Sequence, residues 1–554
     1  MPLLNERAFK KTIPVALLIF FIVLMNLVMI FHYLLPNNDP RLEPPVQHNR
    51  SDFPPYEPPY YGLKLVRPKE KKFTSQAIED HLDALASTMK DKDLYTLLQN
   101  CLPNTLDTTV EWVSSDKRDP RTFLITGDIP AMWIRDSTNQ ITPYLRFVHQ
   151  DQQLKDLIFG VIQVQASYLH YDPYANAFLR PWYAPKKEGQ KRGSTSDRVV
   201  PPYDPNIVWE SKYELDSIGH FFQLTNDYME ATGDVERVVT SQDWLKAVPR
   251  IFQVLRDQME STWPSSQIKF VKPNASLAED PEPVSLKDGY RFRRYTDRPT
   301  ETLGEYGIGG ITRKCGLVRS AFRPSDDATT FPYLIPANAQ LSVQLIKLSK
   351  HIELYLQQQQ SSTTGTQTES EPFHVQYNVG IQAKALGDSV RRAIYEHAVV
   401  SHPVFGQVFA FEVDCYGSHL LMDDANTPSL LSLPVLGFID TNDTLYQNTR
   451  DFVLSQWNPW FFEGSFASGI GGPHTGQDMV WPMSLLMQIQ TSSSEKEVRH
   501  LLDVLKRMAK KTGSLMCESF NVNHPSRFTR PWFSWANGLA GTTILKVIQE
   551  FPHL

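Results

Sequence analysis

Apolar residues recur at helical spacing along most of the chain beyond residue 70. In residues 75–98, Ile78, Leu82, Leu85 and Met89 follow a serine at intervals of three or four, which is typical of an amphipathic helix. The same pattern predicts further helices at 151–169, 213–231, 242–260, 333–356, 378–399, 479–491, 494–511 and 532–549. Their connections are long and rich in Gly, Pro, Trp and Tyr, which favours a mainly α barrel whose loops build a site at one end over a tight repeat array.

The first 68 residues differ in character from the rest of the chain. Residues 14–35 form an almost uninterrupted apolar run, long enough to cross about 30 Å of hydrocarbon as a helix. The basic flank before it predicts a cytoplasmic tail at 1–13 and a type II transmembrane anchor at 14–35. Residues 36–68 are rich in proline and are expected to form an extended stalk. The catalytic body is then 69–554, with a polar, low-complexity insertion at 357–371 that is expected to be disordered.

Composition excludes several functional classes. The 554 residues carry a net charge of -6, so nucleic acid is not an expected partner. No P-loop and no Gly-x-Gly-x-x-Gly after a strand is present, which excludes a nucleotide site of those types. Four cysteines without a Cys-x-x-Cys pair support neither a zinc ribbon nor a redox site, and leave room for one or two disulfides.

Three Asn-x-Ser/Thr sequons, at Asn49, Asn274 and Asn442, fall on the side of the anchor that would be translocated. Together with the anchor they predict a secretory-pathway membrane protein whose body is lumenal or extracellular. The Golgi is favoured, and a cell-surface or vacuolar address also fits.

One loop-like segment, 126–137, places an aromatic ring beside charged groups. Trp133 has the ring face that stacks on the apolar side of a pyranose, and Arg135 and Asp136 offer charge-assisted hydrogen bonds to hydroxyls. The segment therefore indicates a sugar site. The alternative is a buried structural ion pair of Arg135 with Asp136 or Asp128.

Candidate catalytic carboxylates occur in two further segments. Asp326 and Asp327 stand side by side at the predicted start of a helix, where Ser325 or one aspartate is expected to cap it. Adjacent like charges also raise one pKa, a property that a general acid requires. Glu518 lies among apolar neighbours, and His474 lies in a glycine-rich segment. Two carboxylates across a bound sugar are the minimum equipment for glycoside hydrolysis.

Metal ligands are not arranged in a recognisable set. The sequence has no His-Glu-x-x-His motif and no EF-hand loop, so we predict no metal. The alternative is a calcium ion held by oxygens from dispersed residues.

Six strings together resemble glycoside hydrolase family 125, in order, over most of residues 75–550. They read GDIPAMWIRDST, VWESKYELDS, FRPSDDATTFPYLIPAN, FEVDCYGSHLLMDDANTPSLLSLP, GIGGPHTG and ESFNVNHPSRFTRPWFSWANGL. The resemblance implies an (α/α)6 barrel and an exo-acting α-1,6-mannosidase that inverts configuration and needs neither metal nor other cofactor. It also implies a mannose-containing glycan as substrate.

The resemblance also implies roles for individual residues. The general acid is expected within 325–328, with Asp327 favoured and Asp326 as the alternative, and Glu518 is expected to be the general base. Arg135, Asp136 and His474 are expected to hold the terminal mannose, and Trp133 to shape the wall. Second choices for sugar contacts are Tyr213, Glu214 and Asp216.

Two cysteines depart from the family pattern. Cys517 stands where a histidine is expected, and Cys415 stands where a glycine is expected. Neither departure removes a candidate carboxylate, but either thiol would alter hydrogen bonding if it reached the pocket.

Three other functions remain as alternatives. A Golgi glycosyltransferase shares the predicted topology, but the only Asp-x-Asp triplet, Asp91-Lys92-Asp93, lies in a helical segment. A calcium-dependent α-1,2-mannosidase shares both the predicted membrane topology and the helical barrel. Loss of activity in a chelator would identify it. A mannose-binding lectin-like protein would lack turnover.

Overall fold

The computed structural model of the chain describes residues 58–189, 191–194, 196–262, 283–286, 289–362 and 371–553. Helices dominate this part. They are α1 (Gln76–Ala86), α2 (Lys92–Cys101), α3 (Asn104–Thr108), α4 (Ile134–Ile141), α5 (Gln152–Tyr171), α6 (Leu215–Thr232), α7 (Val235–Val239), α8 (Gln242–Gln258), α9 (Ile335–Ser362), α10 (Glu371–His397), α11 (Thr444–Val453), α12 (Pro482–Gln490), α13 (Glu495–Ala509) and α14 (Ser534–Glu550).

The helices form two layers. The inner helices α4, α6, α9, α12 and α14 are buried over most of their length, and α14 packs on α4, α4 on α6, and α6 on α9. Outer helices cover them, with α5 on α6, α10 on α9 and α13 on α12. Glycines allow two close approaches between helices: a Cβ at Gly219 of α6 would meet the Gln340 side chain of α9, and one at Gly541 of α14 would meet Leu102. The barrel part of the fold prediction agrees with this architecture.

Short antiparallel strands lead into the inner helices. They are β1 (Val110–Val113), β2 (Thr122–Leu124), β3 (Met132–Trp133), β4 (Ala177–Phe178), β5 (Arg198–Val200), β6 (Val208–Glu210), β7 (Arg291–Arg293), β8 (Tyr333–Leu334), β9 (Val399–His402), β10 (Gly406–Phe409), β11 (Glu412–Val413), β12 (His419–Leu420), β13 (Phe461–Glu463), β14 (Ser468–Ile470), β15 (Met479–Val480), β16 (Ser519–Asn521) and β17 (Phe528–Thr529). The described strands form sheets of two or three, with orders such as β3-β4-β6, β12-β11-β8 and β15-β16-β17.

These strands define the functional end of the barrel. Strand β3 runs directly into α4 and β8 into α9, while single bridges at Glu214 and Phe533 precede α6 and α14. The N-termini of inner helices, which carry partial positive charge, therefore meet the loops that contain the predicted site residues.

The helical periodicity located most elements correctly. The helices predicted at 151–169, 213–231, 242–260 and 494–511 are confirmed within a few residues as α5, α6, α8 and α13. The single helix predicted over 75–98 is wrong, because the Asp91 side chain accepts a hydrogen bond from Leu94 N–H and starts a new helix, α2.

The boundary between stalk and body also needs correction. Residues 58–68 were predicted as the end of the Pro-rich stalk, but they pack on the body. The buried carboxylate of Asp93 accepts a hydrogen bond from Leu63 N–H at 2.7 Å, and Arg67 pairs with Asp107 at 2.7 Å. These side chains satisfy the extended backbone, so the stalk prediction fails over this stretch.

The polar insertion is shorter than predicted. Helix α9 continues through 357–362, and α10 begins at residue 371, because glutamine and serine are compatible with an exposed helical turn. Residues 363–370 lie outside the described residues.

The prediction of an N-terminal transmembrane helix is not supported and is corrected. The segment 14–35, with the tail 1–13, lies outside the described residues. Within the described ranges, no helix has both the length and the apolar character needed to span a bilayer. Long helices such as α5 carry polar residues, Gln163 and Gln165 among them, that hydrogen-bond inside the barrel. The structure supports the helical barrel alone as the fold class.

A disulfide joins Cys315 to Cys415 across 100 residues of sequence. It connects the segment before β8 to the turn after β11, so it lies beside the paired strands β8 and β11. Cys101 and Cys517 are buried free thiols.

Candidate active site

A cavity lies where the strand-to-helix connections converge. Its wall combines aromatic rings, arginines and carboxylates, which is a composition suited to a sugar. The lining residues are Thr126, Ile129, Trp133, Arg135, Asp136, Pro324, Ser325, Asp326, Asn426, His474, Trp481, Glu518, Arg530, Phe533 and Trp535.

Of the two adjacent aspartates, Asp326 reaches the cavity. Its backbone has φ of +66°, in the left-handed region that is uncommon for a residue with a Cβ. This turn sends the two side chains in different directions, so Asp326 lines the cavity while Asp327 is buried behind it with 1% exposure. The predicted helix cap is wrong, because α9 begins only at Ile335 and Ser325 donates instead to Asp424 Oδ2 at 2.9 Å.

A buried ion pair holds the aspartate loop in place. Arg323 Nε donates to Glu412 Oε1 of β11 at 2.6 Å, and Glu412 Oε2 accepts hydrogen bonds from the backbone N–H of Thr330 and Phe331. The loop is therefore fixed to the same small sheet that the disulfide braces.

Cations surround the Asp326 carboxylate. Arg135 Nη2 lies 3.5 Å from Asp326 Oδ1, and Lys212 Nζ donates to the Asp326 carbonyl oxygen at 2.9 Å. Burial opposes ionisation of this group, yet Lys212 and Arg135 together lower the pKa of Asp326 below that of an ordinary aspartate. Glu214, at the start of α6, lies on the other terminal nitrogen of the same arginine, with its Oε2 2.5 Å from Arg135 Nη1.

Asp327 has a different environment. Burial raises the pKa of Asp327 and the nearby Asp424 adds to this, while His474 opposes it. One aspartate of the pair thus has a raised pKa, but burial and Asp424 raise it rather than the adjacent Asp326 that the sequence argument invoked. The raised pKa belongs to the carboxyl that does not reach the cavity.

Glu518 begins the turn into β16 and is held from the backbone. Its N–H contacts the carbonyl oxygens of Thr529 and Arg530 at 3.2 Å, and its Oε1 accepts from Arg530 Nη1 at 3.3 Å. The side chain is 6% exposed and faces the cavity. Arg530 also binds Asp128 at the rim. Two carboxylates that are 192 residues apart in sequence, Asp326 and Glu518, thus line one cavity.

The first-choice sugar contacts all line the cavity. Trp133 ends β3, and Arg135 and Asp136 occupy the first turn of α4, which the sequence had suggested was a loop. His474 lies with its ring centroid 6.2 Å from that of Trp481. Trp133 Nε1 is buried without a hydrogen-bond partner, so it is free to meet a ligand's hydroxyl, whereas Asp136 Oδ2 lies 3.2 Å from Arg135 Nη2 in a buried ion pair.

The second choices lie behind the wall. Tyr213, Glu214 and Asp216 are at most 1% exposed and do not line the cavity. Glu214 and Asp216 instead pair with Arg135, at 2.5 Å and 3.7 Å. They hold the arginine from the side away from the cavity, so the direct sugar contact predicted for them has no geometric support.

Several lining residues were not nominated from the sequence, among them the four polar or aromatic residues Asn426, Trp481, Arg530 and Trp535. The guanidinium carbon of Arg135 lies 5.4 Å from the centroid of the Trp535 ring, and that of Arg530 lies 4.8 Å from the Phe533 ring. All four lie within or beside strings that carry the family resemblance, so closeness to those strings was the available signal.

The two unexpected cysteines do not line the cavity. Cys415 is in the disulfide, and Cys517 points into the core, with its thiol 3.4 Å from the Ser519 carbonyl oxygen. Burial raises the pKa of the Cys517 thiol to about 12, so it stays neutral. Neither cysteine alters hydrogen bonding in the cavity.

Within the described part of the chain, the one group of cysteine, histidine or acidic side chains close enough to share a metal ion is Cys315, His397 and Cys415, and both of these sulfurs are in the disulfide. In the cavity, Asp326 and Glu518 each lie against an arginine side chain.

Comparison with known proteins agrees with this geometry. The family model for metal-independent alpha-mannosidase of glycoside hydrolase family 125 matches residues 91–545. The meiotically up-regulated gene 157 protein of Schizosaccharomyces pombe is 44% identical over 484 residues, covering 87% of each chain.

A solved structure shares the fold at a TM-score of 0.71 and 32% identity, covering 86% of this chain and 99% of the other. It is a metal-independent α-mannosidase from Streptococcus pneumoniae in a non-productive complex with α-1,6-mannobiose. The matched strings, the barrel and the cavity lead to one conclusion: the chain belongs to glycoside hydrolase family 125, the metal-independent α-mannosidases, and is a glycoside hydrolase.

Proposed function

We propose that the protein is an exo-acting, inverting hydrolase that removes non-reducing terminal α-1,6-linked mannose from glycans. The observation that carries this proposal is the cavity lined by both Asp326 and Glu518. Its wall of aromatic rings, arginines and carboxylates suits a terminal sugar, and the Streptococcus pneumoniae relative was solved with an α-1,6-linked disaccharide.

The chemistry divides between the two carboxyls. Asp326 protonates the departing glycosidic oxygen, and Glu518 takes a proton from the water that attacks the anomeric carbon from the other face. We assign the acid to Asp326 rather than Asp327, because a general acid must touch the departing oxygen and Asp327 does not reach the cavity.

The remaining wall holds the mannose ring. Arg135 and Asp136 offer charge-assisted hydrogen bonds to its hydroxyls, and His474 adds a further polar contact. Trp133, Trp481 and Trp535 present apolar ring surface to its C–H bonds.

An NMR time course of anomeric protons tests the proposal with two disaccharides, α-1,6-mannobiose and α-1,2-mannobiose, each with and without excess EDTA. We expect cleavage of the 1,6 linkage, initial release of β-mannose and full activity in EDTA. Preference for the 1,2 linkage with loss of activity in EDTA would establish the calcium-dependent alternative. Saturable binding without turnover would establish the lectin-like alternative.

We also propose that the catalytic body works in an oxidising compartment of the secretory pathway, with the Golgi favoured. The Cys315–Cys415 disulfide and the exposed sequon residue Asn442 support this. Protease protection in sealed microsomes, together with a glycosidase-sensitive shift in apparent mass, tests it. A body degraded without detergent and carrying no glycan would contradict it.

A further inference from the structure

Glu214 and Asp326 approach the same guanidinium, because Arg135 Nη1 contacts Glu214 Oε2 and Arg135 Nη2 contacts Asp326 Oδ1. Glu214 lies fully buried immediately before α6 and does not line the cavity. Asp136 and Asp216 also lie within 4 Å of this guanidinium, at 3.2 Å and 3.7 Å, so four carboxyl groups surround Arg135. Buried like charges this close together do not all ionise, so the cluster holds a proton.

The groups around this pair come from several elements. Arg135 of α4 contacts both members, with Nη1 at 2.5 Å from Glu214 Oε2 and Nη2 at 3.5 Å from Asp326 Oδ1. Asn176 Nδ2 donates to Glu214 Oε1 at 3.0 Å. The other charged or titratable groups that act on the pair are Asp136, Lys212, Asp216 and His474.

Burial decides how the pair titrates. Burial raises the pKa of Glu214 well above its usual value, and Arg135 offsets this only in part. The Lys212 and Arg135 cations have the opposite effect on Asp326, whose pKa they lower. An isolated Asp326 in this setting would lose its proton too readily to serve as a general acid near neutral pH.

We propose that Glu214 is a positioning residue that shares one proton with Asp326 and so keeps the general acid supplied. This inference rests on the proposed function. It gives Glu214 a part in the reaction although it touches no substrate.

The proton transfers balance. The O–H bond of Glu214 breaks as an O–H bond forms on Asp326, and that bond breaks in turn as the departing glycosidic oxygen takes the proton together with the electrons of its bond to carbon. Water bonds to the anomeric carbon and gives its proton to Glu518. Glu518 then releases a proton to solvent, and the pair regains one from solvent. After the transfer, two carboxylates face two cations, Arg135 and Lys212.

The test compares wild type with Glu214→Gln on two substrates: α-1,6-mannobiose, whose departing oxygen needs a proton, and dinitrophenyl α-mannoside, whose departing oxygen does not. The general acid must be protonated, so activity falls as pH rises through its pKa. Without Glu214, Lys212 and Arg135 hold the pKa of Asp326 low, and the basic limb of the kcat profile moves to lower pH. We expect about a 100-fold loss on the disaccharide at neutral pH and less than about a 10-fold loss on the activated substrate.

Glu210→Gln is the matched control. Glu210 also faces Lys212, at 3.4 Å, but it does not line the cavity. This variant should keep the leaving-group dependence of the wild type. If Glu214→Gln does not fold, Glu214→Asp replaces it, since it keeps a carboxyl and should retain part of the basic limb.

Two outcomes separate the two proposals. Wild type that cleaves neither substrate overturns the proposed function. If wild type is active but the Glu214 variant loses equal activity on both substrates, and the basic limb of its kcat profile does not move, the shared-proton proposal is overturned. Glu214 is then a purely structural residue.

Discussion

The two walls of the cavity that carry the proposed acid and the proposed base are built in different ways. The acid wall consists of Asp326 with Arg135, Lys212 and Glu214, and it is buried except for Asp326, whose side chain is 23% exposed. The base wall consists of Glu518 with Arg530 and Asp128, and its outer pair is open, with side chains 24% and 41% exposed.

This difference separates residues that are costly to change from residues that are not. Removing one member of a buried ion network leaves its partner charged and desolvated, which costs several kcal/mol. An exposed pair is screened by water and salt and contributes about 0–1 kcal/mol. Apart from Glu518 itself, substitutions should therefore be much more damaging on the acid wall than on the base wall.

The largest effect should come from Glu518, whose substitution removes the base and leaves its wall otherwise intact. Glu518→Gln cannot take the proton of the attacking water, so kcat should fall by about 10⁴-fold. Steady-state kinetics measures the loss, and circular dichroism should show an unchanged fold. The exposed Glu463→Gln on β13 is the control. Near-normal turnover by Glu518→Gln would remove Glu518 from the mechanism.

Asp326→Asn should have the next largest effect. We expect a loss of about 10³-fold on α-1,6-mannobiose but a much smaller one on dinitrophenyl α-mannoside, because only the first substrate needs a proton donor.

Asp327→Asn is the matched control for that assignment, because it changes a neighbouring carboxyl that does not reach the cavity. Its loss should be smaller and similar on both substrates. A leaving-group dependence in Asp327→Asn and none in Asp326→Asn would reverse the assignment.

The sequence predicted the carboxyl groups of both walls, but it did not single out Lys212 or Arg530 and did not show which aspartate belongs to the acid wall. The choice depends on the left-handed backbone at Asp326, which a run of two identical residues does not reveal. Glu214 was predicted to contact the sugar because a pattern of residue types does not distinguish a side chain that faces the sugar from one that lies behind the cavity wall.

The fold was predictable where burial follows helical periodicity, as in α5 and α13. Helix α4 was missed because it is short and polar, with the sequence IRDSTNQI. Its polar side chains are satisfied inside the barrel: Ser137 donates to the Trp133 carbonyl oxygen at 2.6 Å, and Gln140 donates to that of Ile125 at 3.0 Å. A helix whose buried residues are polar and hydrogen-bonded has no apolar stripe, so helical periodicity does not predict it.

The disulfide braces the sheet that carries the acid wall, so its removal tests how much the stability of that wall depends on it. Replacing both Cys315 and Cys415 by alanine should lower the free energy of unfolding by about 2–4 kcal/mol. Chemical denaturation measures this, and reduced wild type should match the variant. An unchanged midpoint would mean that the ion pair of Arg323 with Glu412 holds the sheet without help.

A glycine at position 415 should recover part of this loss. Cys415 has φ of +59°, a conformation that costs a residue with a Cβ about 1 kcal/mol and glycine almost nothing. The pair Cys315→Ala with Cys415→Gly should therefore be more stable than the double alanine variant, by the same measurement. Equal stability would show that the backbone relaxes once the disulfide is absent.

The smallest effect should come from the rim of the base wall. Asp128→Asn removes the partner of Arg530 at a site where water already screens both charges, so kcat/KM should change by less than about threefold. The difference from wild type should shrink further as salt is raised, because screening weakens an exposed pair in the wild type alone. A loss comparable to that of Asp326→Asn, independent of salt, would mean that the rim pair closes over the bound sugar, and the base wall would then be as enclosed during catalysis as the acid wall.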